Sequence, residues 1–366
     1  RELANSNVPP ELRLVVCVVL ICYLREGMPY PLLEICGSSG AGKTTLANRI
    51  TQAIDPTGSG RLVASGTDTR DFAATSTKRH IMVVDNSSGL KKDEQNFLCQ
   101  VVYGTTVSER ALYTNFGSSQ VDIHRPIIIT GVQPAITASD LMSRRIFVPL
   151  QGRSKYGRDV SMTPEHQAKW LGALFTLLSA AMANEARVKR SLSRHRLAEY
   201  ALFGEAVAMA LGHEPGYFEQ CYSGARYDAS ASYAAGDEFM TAVIAILKEK
   251  EDTAVLADKH PNANQIRKAR VSVIKRSDGW FLAVFTPKGL QECLNQKNPS
   301  RGIMDDRPSA IPRHQRALGG AIRRLEPLLK DLGVAVQERP LGAESRRENV
   351  FVFGWKVLAD SADTSG

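Results

Sequence analysis

Eight consecutive residues, Gly37-Ser38-Ser39-Gly40-Ala41-Gly42-Lys43-Thr44, have the spacing G-x-x-x-x-G-K-[ST]. Each position in that pattern has a physical task. Glycines let backbone amides turn inward around a phosphate chain, and a helix beginning at the last glycine adds its positive end. The Lys43 ammonium reaches the β- and γ-phosphates, and the Thr44 hydroxyl is a ligand for Mg²⁺. Ser38, Ser39, Ala41 and Thr45 complete the lining. The chemistry implied is binding of ATP with Mg²⁺; an unrelated Gly/Ser turn would have no need of the lysine and the threonine.

Other residues have types suited to act on the same nucleotide. Asp85 ends the apolar run Ile81-Met82-Val83-Val84, where an acid would help hold the metal. Asn86 follows it, at a position where a carboxylate would orient an attacking water, so another group must do that or turnover is slow. Asp93 and Glu94 are nearby acids that a solvated helix start explains equally well. Thr130 ends the run Ile127-Ile128-Ile129, where a polar side chain could contact a γ-phosphate or the attacking water; an ordinary strand-end threonine is the competing reading. Arg144 and Arg145 precede Ile146-Phe147-Val148. In ring ATPases such arginines reach a neighbour's γ-phosphate; the competing reading is a local salt bridge to Asp140. The catalytic set expected is therefore Lys43, Asp85, Thr130, Arg144 and Arg145, with Thr44 and Asp85 on the metal.

Elements of defined type must position these residues. Residues 32–36 read as a buried strand feeding the glycine loop, and 45–54 as the helix after it. Short β-branched runs at 81–85, 127–131 and 146–150, alternating with helical stretches, indicate a parallel sheet covered on both faces. Residues 11–26 read as a first helix and 55–71 as a loop. From 165 to about 212 the chain reads as wholly helical. It carries the basic run Arg187, Lys189, Arg190, Arg194, His195 and Arg196, more in keeping with a solvated helix face than with a channel lining. Residues 222–236, small and polar, read as a linker.

The character changes after residue 237. A helix at 238–250, a basic segment at 264–276, a strand at 280–285 and a helix opening at Thr286-Pro287 come first. The stretch 316–332 is amphipathic, with Leu318, Ile322, Leu325, Leu328, Leu329 and Leu332 three to four apart, interrupted by Pro327 and closed by Gly333. A hairpin of residues 334–336 and 350–353 follows. Helices then hairpin is the order of a winged helix, a module that commonly binds DNA and also serves protein contacts. Its candidate phosphate contacts are Arg313, Arg316, Arg323 and Arg324 on or before the amphipathic helix, and Arg346 and Arg347 in the wing.

The resulting fold class is α/β: a P-loop, AAA+-like parallel-sheet core with a helical segment, then a C-terminal α+β winged-helix domain. The expected division is 1–160 for the core, 161–236 for the helical subdomain and linker, 237–358 for the winged helix and 359–366 for a frayed tail. The net charge of +8 over 366 residues permits a polyanionic partner without demanding one. The six cysteines (Cys17, Cys22, Cys36, Cys99, Cys221, Cys293) have no metal-ligand spacing and fit a reducing cytoplasm. The apolar run 14–24 falls short of the roughly 20 residues that span a bilayer, so no membrane partner is expected. The chain opens at Arg1, which leaves room for a missing N-terminal region.

The ordered set resembles a known group. The stretches that carry the likeness are 37–45, Ile81-Met82-Val83-Val84-Asp85-Asn86-Ser87-Ser88, Glu109-Arg110-Ala111-Leu112-Tyr113-Thr114-Asn115, Arg125-Pro126 through Gly131, and Asp140-Leu141-Met142-Ser143-Arg144-Arg145. Residues 196–201 and 205–212 add to it. Over roughly residues 10–250 the chain is similar to ATPase modules of phage, plasmid and integrated-element replication proteins in the superfamily 3, D5-like helicase–primase group. That resemblance implies an ATP-driven hexameric ring translocating on single-stranded or forked DNA, with a primase or other replication partner upstream. It carries over Lys43, Thr44 and Asp85 directly; the group usually has Asn where Thr130 stands. Two other functions compete: a nucleotide-gated DNA-binding initiator or regulator with weak or no hydrolysis, and a small-molecule P-loop kinase.

Overall fold

The computed structural model describes residues 7–55, 63–64, 69–110, 118–151, 163–188, 195–257, 263–297, 311–312, 314–340 and 349–356. The chain divides into two units, Arg1–Arg226 and Tyr227–Gly366.

The first unit is built on a parallel sheet. Its strands are β1 (Leu32–Cys36), β2 (Val63–Ala64), β3 (Met82–Asp85), β6 (Ile127–Gly131) and β7 (Arg145–Pro149), in the spatial order β2-β3-β6-β1-β7. β1 is buried at every position, which explains why it reads as a continuous apolar run. Between β1 and β2 runs α2 (Lys43–Ile54), preceded by α1 (Arg13–Cys22), whose residues from Val15 onward are nearly all buried. Then come α3 (Thr69–Ser76) and α4 (Lys92–Val101). β4 (Thr105–Arg110) and β5 (Ser118–Ile123) form a separate antiparallel pair. A short α5 (Ser139–Met142) leads into β7. Register places Leu32 beside Arg145 and Cys36 beside Pro149, so one end of β1 faces the start of β7 and the other end faces its finish.

Beyond the sheet lie α6 (Pro164–Asn184), α7 (Ala198–Ala210) and α8 (Tyr217–Gly236). Thr163 caps α6 by accepting from the His166 amide at 3.3 Å, with Pro164 at the first helical position. The expected linker at 222–236 is thus helical, and the boundary between the units falls inside α8. The basic run is not a continuous helix face: Arg187 closes a 3₁₀ turn, His195 and Arg196 lie in a bend, and Lys189, Arg190 and Arg194 fall outside the described residues.

The second unit comprises α9 (Glu238–Asp252), β8 (Val255–Leu256), α10 (Ala263–Ala269), β9 (Val271–Lys275), β10 (Phe281–Phe285), α11 (Pro287–Lys297), α12 (Gln315–Asp331), β11 (Ala335–Pro340) and β12 (Asn349–Trp355). Asp237 caps α9 through the Met240 amide at 2.7 Å. The strands form one sheet in the order β11-β12-β10-β9-β8. The basic segment at 264–276 spans α10 and β9. Phe285, Phe353 and Trp355 are fully buried, and the Trp355 indole donates to Glu251 at 2.7 Å. α12 buries Leu318, Ile322, Leu325, Leu328 and Leu329 on one face. Gly333, at φ 81°, closes it, with the Val334 amide reaching back to the Leu329 carbonyl at 2.8 Å. Among the described residues, no helix is long and apolar enough to cross a membrane.

Candidate nucleotide site

The glycine loop sits at the carboxyl ends of the parallel strands, where open α/β sheets place their ligands. Its base is pinned on both sides. The Gly37 amide donates to the Gly131 carbonyl at 3.3 Å, and the Leu150 amide donates to the Cys36 carbonyl at 2.7 Å. A Cβ at Gly37 would stand 2.6 Å from the Leu150 carbonyl oxygen, so only glycine passes there. Gly42, at φ 93°, turns the chain into α2 with no side chain capping the helix. The first amides of α2 are thus left to an anion. Ser38, Ser39, Gly40 and Thr44 are exposed, Gly37, Gly42 and Thr45 half-buried, and Ala41 buried.

Lys43 arches back over the loop. Its Nζ donates to the Gly37 and Ser38 carbonyls, each at 2.8 Å, and it is largely buried. Thr44 Oγ1 donates to Asp85 Oδ1 at 3.0 Å, which joins the α2 N-terminus to the end of β3. Thr130 Oγ1 donates to the same Asp85 oxygen, and the Asn86 amide donates to Thr130 Oγ1 at 3.0 Å. This junction exists because β6 lies between β1 and β3, which sets the last turn of β6 against both. Thr130 is fully buried. Its hydroxyl is engaged with Asp85 and not turned to a surface where a phosphate or water would meet it. Asn86 is exposed at φ 53°, in the left-handed region that asparagine tolerates better than most residues.

The Thr44 hydroxyl and Asp85 carboxylate are hard oxygen donors converging at the mouth of the loop, a donor set that suits Mg²⁺. Cys36, directly before the loop, is no competing nucleophile: burial, reinforced by Glu34, pushes its thiol up to about 12.

Arg144 and Arg145 lie elsewhere. The Leu32 amide donates to the Arg144 carbonyl at 3.1 Å, so both arginines are at the amino end of β1, opposite its own glycine loop. Arg145 is buried and paired with Glu34, itself 0% exposed. Glu34 Oε1 also accepts from the Ala135 and Ile136 amides at 2.7 and 3.1 Å. Arg144 pairs with Asp140 at 2.5 Å, donates to the Asp140 carbonyl at 2.8 Å and lies over the Tyr103 ring. The local salt bridge to Asp140 is thus present. Burial alone would raise the Asp140 carboxyl, but the hydrogen bond and charge of Arg144, with help from Cys99 and Arg196, hold it below the usual range.

Two residues of this framework lie outside the expected catalytic set. Glu34 is one; a lone acid in an otherwise apolar buried strand is the signal, because such a charge requires a partner. Gln95 is the other. Its Oε1 accepts from the Thr137 and Ala138 amides at 2.9 and 2.7 Å and its Nε2 donates to the Leu90 carbonyl at 2.9 Å, tying α4 to the segment after β6.

In the second unit Arg316, Arg323 and Arg324 are exposed on α12. Arg323 Nε donates to the Gly319 carbonyl at 3.1 Å and lies 3.6 Å from Glu338 of β11. Arg313, Arg346 and Arg347 lie outside the described residues.

A family model described as actinomycete integrative conjugative element replication protein matches residues 3–213, and one described as the C-terminal domain of its RepA matches residues 264–351. The beta-(1→2)glucan export ATP-binding/permease protein NdvA of Brucella abortus is 40% identical over 65 residues, 18% of this chain and 11% of that one. The heterocyst differentiation ATP-binding protein HepA of Nostoc is 30% identical over 89 residues, 24% of this chain and 12% of that one. These matches span about a tenth of either relative. Among solved structures, SCCmec type IV Cch, described as an active helicase, aligns at 12% identity and a TM-score of 0.40, over 84% of this chain and 66% of that one. The C-terminal region of NrS-1 aligns at 12% identity and a TM-score of 0.31, over 47% and 41%.

Proposed function

Since this chain belongs to the family of actinomycete integrative conjugative element replication proteins, we propose that it is the ATP-hydrolysing, DNA-translocating motor of that replication system. It works in the cytoplasm as a ring of copies, hexameric as in superfamily 3 helicases. The observation that carries the reading is the junction of Thr44, Asp85 and Thr130 at the mouth of the glycine loop.

Lys43 exchanges its two carbonyl partners for phosphate oxygens when ATP enters, and the free amides of α2 hold the β-phosphate. Thr44 and Asp85 would hold Mg²⁺, which would supply positive charge against the β- and γ-phosphates. Thr130 keeps the Asp85 carboxylate aimed at that position. In the reaction, a water oxygen bonds to the γ-phosphorus while the bond to the β–γ bridging oxygen breaks. ADP leaves with the electron pair, and the water proton passes to phosphate or solvent. Asn86, exposed beside Asp85, has no carboxylate to take that water's proton, so turnover is slow unless another group orients the water.

The second unit supplies a DNA contact. Leaving aside the insertion of β8, α10 and β9, its order is helix, strand, helix, helix, hairpin, with β10 pairing β12, which supports the winged-helix reading. Exposed Arg316, Arg323 and Arg324 are its phosphate contacts on α12, with Arg313, Arg346 and Arg347 the further candidates. Asn86 also favours a second reading, a nucleotide-gated DNA-binding initiator that hydrolyses little.

The test is ATP turnover with and without forked DNA, together with particle mass with and without a non-hydrolysable ATP analogue. The motor reading expects DNA-stimulated turnover and nucleotide-strengthened rings. A monomer whose hydrolysis ignores DNA overturns it, and nucleotide-dependent DNA binding without turnover selects the initiator.

A further inference from the structure

We propose that Arg196, and neither Arg144 nor Arg145, is the arginine this chain delivers to the nucleotide of a neighbouring copy. The proposal rests on the ring reading above and names the residue that completes the site in trans.

A guanidinium that acts across an interface must be accessible, and its donors must be available. Arg144 and Arg145 fail on accessibility, their side chains being 8% and 3% exposed, and each is paired with a carboxylate of its own chain; the Arg144 Nε that has no partner is itself buried. Arg196 has a 56% exposed side chain, and its contact with Asp140 is 3.7 Å long, outside hydrogen-bond range. Arg144 already holds the other oxygen of Asp140 at 2.5 Å, so Asp140 can retain Arg196 only loosely.

Exposure alone describes many surface arginines; the backbone beneath Arg196 distinguishes it. His195 turns its ring inward, where it pairs with Glu219 at 2.8 Å and packs on Tyr222 with centroids 4.4 Å apart. Leu197, on the other side, is fully buried and opens α7. Tyr103 Oη donates to the Arg196 carbonyl at 3.3 Å. An exposed long side chain therefore rises from a backbone anchored before, after and at its own carbonyl. Less freedom is left to lose when it engages a phosphate.

Position excludes service to its own nucleotide. Arg144 and Asp140 belong to the amino end of β1, and the glycine loop follows the carboxyl end. Five residues of strand separate them, about 16 Å at roughly 3.3 Å per residue. The guanidinium would stabilise charge on the transferring phosphoryl group and add no covalent step.

The experiment uses the full chain with ATP and DNA, comparing Arg196→Ala, Arg144→Ala, Lys43→Ala and Arg226→Ala, alone and mixed; Arg226 is the nearby alternative, donating to the Ser143 carbonyl at 3.2 Å. Arg196→Ala is expected to melt as the parent does, assemble equally and bind nucleotide equally, yet lose turnover by about 10³-fold or more. Arg196→Lys should not restore the rate, because an ammonium lacks the planar fork. Mixing inactive Arg196→Ala with inactive Lys43→Ala should recover activity, since a Lys43→Ala copy presents an intact Arg196 to a neighbour with an intact loop. Normal turnover by an assembled Arg196→Ala protein overturns the proposal, as does loss of turnover on Arg226→Ala with Arg196→Ala intact. A parent chain that hydrolyses ATP as a monomer overturns the ring reading itself, and this assignment with it.

Discussion

The two ends of the parallel sheet carry similar residue types and treat them in opposite ways. At the carboxyl end, Lys43 holds the Gly37 and Ser38 carbonyls and Thr44 holds Asp85 at an open mouth, and these bonds can be exchanged for a ligand. At the amino end, Arg145 and Glu34 form a closed, buried pair with further bonds to backbone amides. The nucleotide-end cluster is poised, and the Arg145–Glu34 pair is spent. The difference lies in exposure, which residue type does not reveal. A buried ion pair with its remaining lone pairs satisfied fixes a framework, whereas a half-exposed cluster at strand ends can exchange partners with a substrate.

Substitutions should separate the two ends, and the largest effect belongs to the closed one. Arg145→Ala leaves Glu34 charged and buried, which should cost about 3–5 kcal/mol of stability in urea unfolding. Arg196→Ala, at an exposed ion contact beside the same amino end, should cost no more than ~1 kcal/mol in the same measurement, because exposure and not position sets the loss. Equal losses would dissolve the distinction. Next, Lys43→Ala should leave the unfolding curve nearly unchanged and lower ATP turnover by about 10²–10³-fold, the usual effect of removing one charge-stabilising donor. Thr130→Val should follow, at roughly 10–100-fold in turnover, the worth of ~1.5–3 kcal/mol for a hydrogen bond to a charged group. Thr130→Ser should keep most of the rate. An additional rise in the Mg²⁺ concentration needed by Thr130→Val would mark a residue that acts through Asp85.

The smallest effect is a pH dependence just before the start of β6. His124 stacks on Tyr30 with centroids 4.3 Å apart, and burial lowers its pKa below the ordinary value. Its folded-state pKa is depressed, so the stability it contributes is complete above the unfolded value of about 6.5 and is lost as pH falls toward the folded one. Unfolding free energy should therefore decline from about pH 7 downward, and His124→Phe should flatten that decline.

Much of this core was legible because buried parallel strands are short apolar runs, and β1, β3, β6 and β7 are of that kind. β2 has two residues and no pattern to read, and β4 and β5 are polar on a two-stranded pair. Residues 222–236 resembled a linker through their Ser, Gly and Ala, yet alanine is the strongest helix former and α8 runs through them. The glycine loop, Lys43, Thr44 and Asp85 follow from spacing. The roles of Thr130 and the two arginines do not, because a strand-end polar residue can face either a cleft or its neighbours. Only the pairing of β6 between β1 and β3 sets Thr130 against Asp85.

Titration of the purified chain with a fluorescent ATP analogue, with and without Mg²⁺, bears most directly on the claim that the carboxyl end is the nucleotide site. The parent should bind with an affinity that rises with Mg²⁺. Lys43→Ala should lose most of that affinity, Asp85→Asn should lose its Mg²⁺ dependence, and both should remain folded. Unchanged, Mg²⁺-indifferent binding by folded Lys43→Ala and Asp85→Asn would contradict the account.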